Sequence, residues 1–125
     1  MKNLFEACQS GDLDLVKYLV EGKNIDINFK DMLGITALWK ACKSGNLDLV
    51  KYLIEDIGAN IYIKTNTGST ILFAACESDN LELVKYLVED KRIDINLEND
   101  NGETAINRSS YNTKIWKYLN KKMNQ

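Results

Sequence analysis

Histidine and proline are both missing from this 125-residue sequence, and no apolar run approaches the roughly 18 residues of a membrane-spanning helix. Without histidine there is no Ser-His-Asp triad, no His-containing zinc site and no imidazole general base. The glycine loops that cradle phosphates, G-x-x-x-x-G-K-[ST] and G-x-G-x-x-G, are absent as well. A carboxylate pair could still do acid and base work, but no closed, dry site is visible, so the sequence reads as non-enzymatic, with no cofactor or metal expected. Sixteen Lys and Arg stand against 18 Asp and Glu, and the acidic pI of about 5.2 disfavours a nucleic-acid partner. Charge interrupts Met1 to Glu6 before a signal-type apolar core can form, so a soluble, cytoplasmic protein is expected, with no membrane partner.

What is present is a repeat. Asp31 to Lys64 and Thr65 to Glu98 carry the same text in the same order, with a period of 34 residues. Gly34, Gly68 and Gly102 keep that register, as do Thr36, Thr70 and Thr104, and Cys8, Cys42 and Cys76. Val-Lys-Tyr-Leu recurs at Val16, Val50 and Val84. An internal repeat of this length specifies stacked supersecondary units, each unable to bury its apolar face alone. The divisions fall at 1–30, 31–64, 65–98 and 99–125, forming one domain.

The text Thr36-Ala37-Leu38-Trp39-Lys40-Ala41, echoed at Thr70-Ile71-Leu72-Phe73-Ala74-Ala75 and at Thr104-Ala105-Ile106-Asn107-Arg108-Ser109, resembles the T-P-L-H-x-A motif of the ankyrin repeat. The resemblance covers essentially the whole chain. It implies an all-α solenoid of stacked helix-turn-helix units with projecting β-hairpin loops. The motif's Pro is Ala, Ile and Ala here, which softens each helix start without forbidding it. Its His is Trp, Phe and Asn, so a side chain that ties neighbouring hairpins in the family is missing and looser hairpins are expected. One extra residue per repeat lies around Asp56-Ile57-Gly58 and Asp90-Lys91-Arg92, where the second helix meets the hairpin.

Within each unit the local signals are consistent. Leu4, Ala7 and Cys8 have the spacing of a first helix, Gly11 supplies its left-handed end, and Asp12, Asn46 and Asn80 stand as N-caps of the second helix. Asp79 occupies the glycine position of its repeat, which predicts a strained turn. Leu47, Val50, Leu53 and Ile54 give the second helix an apolar stripe, with Asp48, Lys51 and Glu55 left to water. Tyr18, Tyr52, Tyr86 and Tyr118 share one position, expected to pack between neighbouring second helices with hydroxyls at the surface. Ile25-Asp26-Ile27-Asn28, Asn60-Ile61-Tyr62-Ile63 and Ile93-Asp94-Ile95-Asn96 alternate as strands do, ahead of glycine-containing tips. In the last repeat Ser109 and Ser110 replace small apolar residues, the turn before Ile115 is shortened and the tail is polar, as a terminal cap requires.

Three further groups read as structural. Cysteines one repeat apart sit about a helix-packing distance of ~8–10 Å from each other, too far for a disulfide. They are expected to be buried small apolar groups in a reducing compartment. The oxygens of Asp94, Asn96, Glu98, Asp100 and Glu103 miss the calcium-loop spacing. Asn107-Arg108-Ser109 matches a glycosylation sequon but falls in an expected first helix.

Function is therefore expected on the surface that the resemblance implies: fingertips and the open side of the first helices, contacting a protein partner. In the second repeat these positions are Met32, Leu33, Ile35, Trp39, Lys40 and Lys43, and in the third Asn66, Thr67, Ser69, Phe73 and Glu77. In the fourth they are Asp100, Asn101, Glu103, Arg108 and Tyr111. Met32, Leu33 and Ile35 make one fingertip apolar where the other two are polar, the appearance of a binding patch. The competing reading packs them against Phe5 or the next finger. A small monomeric adaptor or inhibitor is expected. The alternative is a structural protein that stacks on itself through Leu4-Phe5 and Ile115-Trp116, and a weaker one binds nucleic acid through Trp39, Lys40 and Lys43.

Overall fold

The structure, a computed structural model, describes residues 3–125, so the part of the leader reading that rests on Met1 and Lys2 lies outside the described residues. Among the described residues seven α-helices run in antiparallel pairs: α1 (Leu4–Gln9) with α2 (Leu13–Val20), α3 (Ala37–Ser44) with α4 (Leu47–Lys51), α5 (Ile71–Glu77) with α6 (Leu81–Lys85), and α7 (Lys114–Met123) behind a 3-10 turn at Ala105–Arg108. Side-chain caps place every α-helix start except that of α5, where Thr70 makes no such bond. The Asn46 carboxamide oxygen accepts from Leu49 N at 3.1 Å, Asp12 from Leu15 N at 3.1 Å, and Thr36 Oγ1 from Trp39 N at 3.2 Å, so α3 begins without the missing proline. Burial of Cys8, Val16, Leu38, Cys42, Val50, Leu53, Leu72, Cys76, Leu87 and Leu119 makes one core through all four units.

The extra residue of the period is absorbed by π-helical turns. α4 continues through Tyr52–Asp56 and α6 through Tyr86–Asp90, with Ile57 N donating to Tyr52 O at 3.1 Å and Lys91 N to Tyr86 O at 3.2 Å. Gly58 (φ 82°) and Arg92 (φ 56°) then take the left-handed conformation. In the first repeat the left-handed residue is Gly22 (φ 76°), two register positions earlier, and α2 simply stops at Val20. Asp79 is left-handed, φ 63°, as its place in the register predicts.

Two expectations need correction. The alternating segments are not strands, and the described residues hold none. Asp26, Asn60 and Asp94 each accept from the backbone N–H two residues on, Asn28, Tyr62 and Asn96, at 2.8–2.9 Å, closing a local turn in place of a ladder. The fingers likewise close with one backbone rung each: Asp31 N to Ile35 O, Thr65 N to Ser69 O, Asn99 N to Glu103 O, at 2.8–3.0 Å. Each also has a turn bond from its tip glycine, Gly34 N to Asp31 O, Gly68 N to Thr65 O and Gly102 N to Asn99 O at 2.9–3.0 Å, and further bonds run sideways, Asn66 N to Leu33 O at 3.0 Å and Asp100 N to Thr67 O at 2.8 Å, so each tip is tied to the next despite the lost histidine. The second correction is the first helix of the fourth repeat, which contracts to the 3-10 turn, with the sequon residue Asn107 accepting from Thr104 N at 2.9 Å. Ser109 bonds back to Ile106 O at 2.8 Å, competing with helix continuation.

On the second-helix side the tyrosines form a ladder with a partner set that recurs. Lys17 stands over the Tyr52 ring at 5.4 Å, Lys51 over Tyr86 at 5.2 Å and Lys85 over Tyr118 at 5.8 Å, each lysine from the preceding repeat. The hydroxyls of Tyr86 and Tyr118 donate to Glu55 and Glu89, again one repeat back. Burial first, then these carboxylates, push both phenols well above the ordinary tyrosine range. The rings of Tyr52, Tyr86 and Tyr118 pack between neighbouring helices, as expected, the last two held by a lysine over the ring and a glutamate at the hydroxyl, whereas Tyr18 of the first repeat is 63% exposed.

Candidate interaction surface

The third residue before each tip glycine builds the finger. Asp31 Oδ1 accepts from Leu33 N and Ile35 N, both at 2.9 Å, and Asn99 Oδ1 from Asn101 N and Glu103 N at 2.9 and 3.0 Å. With the polar atoms thus turned inward, residues at the tip point out. Met32 is 94% exposed and Leu33 69% exposed, so these two do not pack against Phe5, whose ring instead meets Phe29 edge-on at 6.3 Å. Ile35 and Trp39 are half-buried.

Leu33, Ile35 and Trp39 line one wall of a cleft of about 240 Å³, with Thr65, Asn66, Thr67, Ser69 and Arg108 opposite. Residues from three consecutive repeats thereby meet at one place. Below it runs a chain of ions. Lys43 Nζ lies 3.8 Å from Glu77 Oε2, Glu77 Oε1 is 3.2 Å from Arg108 Nη1, and Arg108 Nη2 is 3.3 Å from Glu103 Oε1. Lys40 sits half-buried on the same first helix as Lys43, and Asp100, Asn101, Asn66 and Thr67 are exposed at the tips.

Three expected contact residues are placed differently. Phe73 is 1% exposed, because the Arg108 guanidinium covers its ring at 5.8 Å. Ser69 is buried, its Oγ 3.5 Å from Asn99 Nδ2. Tyr111 lies in the turn ahead of α7, edge-on to Trp116 at 4.6 Å, apart from the cleft. Conversely Thr65, not singled out in the sequence, lines the cleft and holds its finger by accepting from Ser69 N at 3.2 Å. Its register with Asp31 and Asn99 was the available signal.

Among the described residues no group of His, Cys, Asp and Glu is arranged to hold a metal ion. The three cysteines are free thiols buried in α1, α3 and α5. Among the described residues no helix is long and apolar enough to cross a membrane.

This geometry, helix pairs at a fixed period with tied tips and an open first-helix face, agrees with the family comparison: the ankyrin-repeat model matches residues 4–99 and 57–125. The chain belongs to the ankyrin-repeat family, whose repeats are generally protein-protein interaction modules. No curated protein matches it.

Proposed function

We propose that the chain is a non-catalytic binding module, an adaptor or an inhibitor, that engages a protein partner through its fingertips and the cleft behind them. The observation that carries this reading is the pair Met32 and Leu33, held out into solvent by the Asp31 turn at the rim of the Trp39 cleft. An apolar anchor beside a half-open pocket with a polar surround is the arrangement of an interface centre. The ion chain from Lys43 to Glu103 is already paired internally, so it orients a partner more than it attracts one.

Affinity capture from the native host's lysate tests this. The wild type should retain a protein that a Met32→Ser, Leu33→Ser variant loses, a weakening of about 2 kcal/mol or more for the pair. Both side chains are exposed, so the variant should melt with the wild type. Equal retention by both would move the site elsewhere.

A further inference from the structure

The turns that follow the second helices meet at two joints, and the two joints close differently. Between the first and second repeats Asn28 Oδ1 accepts from Asn60 N at 2.8 Å, and Thr36 Oγ1 caps α3 through Trp39 N at 3.2 Å. One register on, Tyr62 stands in the place of Asn28, and its side chain is left 73% exposed. Asp94 N, the counterpart of Asn60 N, then finds no acceptor among the described residues. Thr70, the counterpart of Thr36, caps nothing with its hydroxyl, although the residue is only 7% exposed.

A pocket of about 180 Å³ opens at this second joint, lined by Thr70 and Asp94 together with the apolar side chains of Ile61, Ile93 and Leu97. Lys64 and Arg92 line it too, both exposed and neither in an ion pair among the described residues. Against them stands one carboxylate, that of Asp94, whose Oδ1 is already engaged by Asn96 N at 2.8 Å. Two donors without acceptors, two cations and an apolar wall call for acceptor oxygens and negative charge on an apolar body. A bare phosphate would leave the apolar wall uncovered, and a drug-sized ligand needs a cavity of roughly 300 Å³ or more.

We propose that this joint is a binding pocket for a carboxylate carried on a single apolar residue, as at the C-terminal end of a peptide or in a free acylated amino acid. The Thr70 hydroxyl and the Asp94 N–H donate to the carboxylate, Lys64 and Arg92 balance its charge, and Ile61, Ile93 and Leu97 take the apolar side chain. The pocket shares no residue with the fingertip cleft, so the fate of one assignment does not decide the other.

The probes are N-acetyl-leucine and an acetylated peptide of three alanines ending in leucine, each as free acid and as amide, titrated into the isotope-labelled chain and read by amide NMR shifts. The acids should move the Asp94 and Thr70 resonances saturably, and the amides should bind at least about tenfold more weakly, having lost the charge and one acceptor oxygen. Equal affinity of the two acids supports the pocket with a free small carboxylate as its ligand, and tighter binding of the peptide supports it with a chain end. Tyr62→Asn should install the closure of the first joint, weakening the acids about tenfold while the chain melts no lower than the wild type. Thr70→Val keeps the side chain's shape and removes no cap, so it too should weaken the acids and leave the melting temperature in place. No saturable shift at millimolar acid, equal binding of acid and amide, or full affinity in both variants would overturn the proposal.

Discussion

At the residue scale, glycine and its substitutes decide how tightly the fingers and turns close. A Cβ on Gly34 would lie 2.7 Å from both Asn66 N and Asn66 Oδ1, and one on Gly68 3.0 Å from Asp100 Oδ1, whereas Gly102 faces open space. All three are left-handed, so alanine carries a backbone penalty of about 1–2 kcal/mol at each. Gly34→Ala should therefore cost most, Gly68→Ala less and Gly102→Ala only the backbone term, an order that urea denaturation would read directly. The reverse change is expected at Asp79, where glycine removes left-handed strain: Asp79→Gly should stabilise by up to about 1 kcal/mol and raise the melting temperature by a few degrees. The buried thiols, together with the raised Tyr86 and Tyr118 phenols, make stability fall at alkaline pH. Burial pushes Cys8 and Cys76 up to about 12 from 9.0 and raises Cys42 as well, so the folded chain holds protons that the unfolded chain releases. Stability contributed by the neutral thiols is complete below about pH 9 and falls as pH rises toward 12, by up to about 1.4 kcal/mol per pH unit for each thiol. Denaturation midpoints at pH 8 and pH 10.5 should differ in that direction, and Cys76→Ala should flatten the dependence.

At the scale of the element, the stack is held by bonds that reach one repeat back. Asn80 caps α6 through Glu82 N and Leu83 N and also donates from Nδ2 to Gly45 O at 2.7 Å, as Asn46 does to Gly11 O at 2.7 Å. Asn80→Ala loses cap and clamp together and should cost about 1–2 kcal/mol, while Asn80→Ser keeps a cap and should cost less. The cap half of that role follows from the 34-residue register, which also placed the buried cysteines and the tyrosine positions, whereas the clamp to the preceding repeat comes from the structure. The strand reading failed because alternation counts apolar residues and ignores what Asp26, Asn60 and Asp94 do with their side chains. The π-turns escaped as well, since an extra residue shows in the period without showing how the backbone accommodates it. For the candidate surface, Met32 and Leu33 were legible because a lone apolar tip contrasts with its polar neighbours. Ser69 and Phe73 were not, since their cover comes from Asn99 and Arg108, about one repeat further along the chain.

At the scale of the whole molecule, two kinds of surface differ in chemistry. From the third repeat on, the second-helix side is finished, the Tyr86 and Tyr118 rings covered by lysines and their hydroxyls engaged by glutamates. The fingertip side is open, with exposed apolar groups beside a cleft formed by three repeats. A partner that reads this chain should therefore touch the fingers and spare the tyrosine ladder. The direct measurement is hydrogen exchange on the complex with the captured protein, compared with the free chain. Slowed exchange at residues 32–35, 65–69 and 100–103, with residues 81–90 unchanged, is the expected result. Protection confined to 81–90, with the three fingertips exchanging as in the free chain, would contradict the assignment of function to the fingertip face.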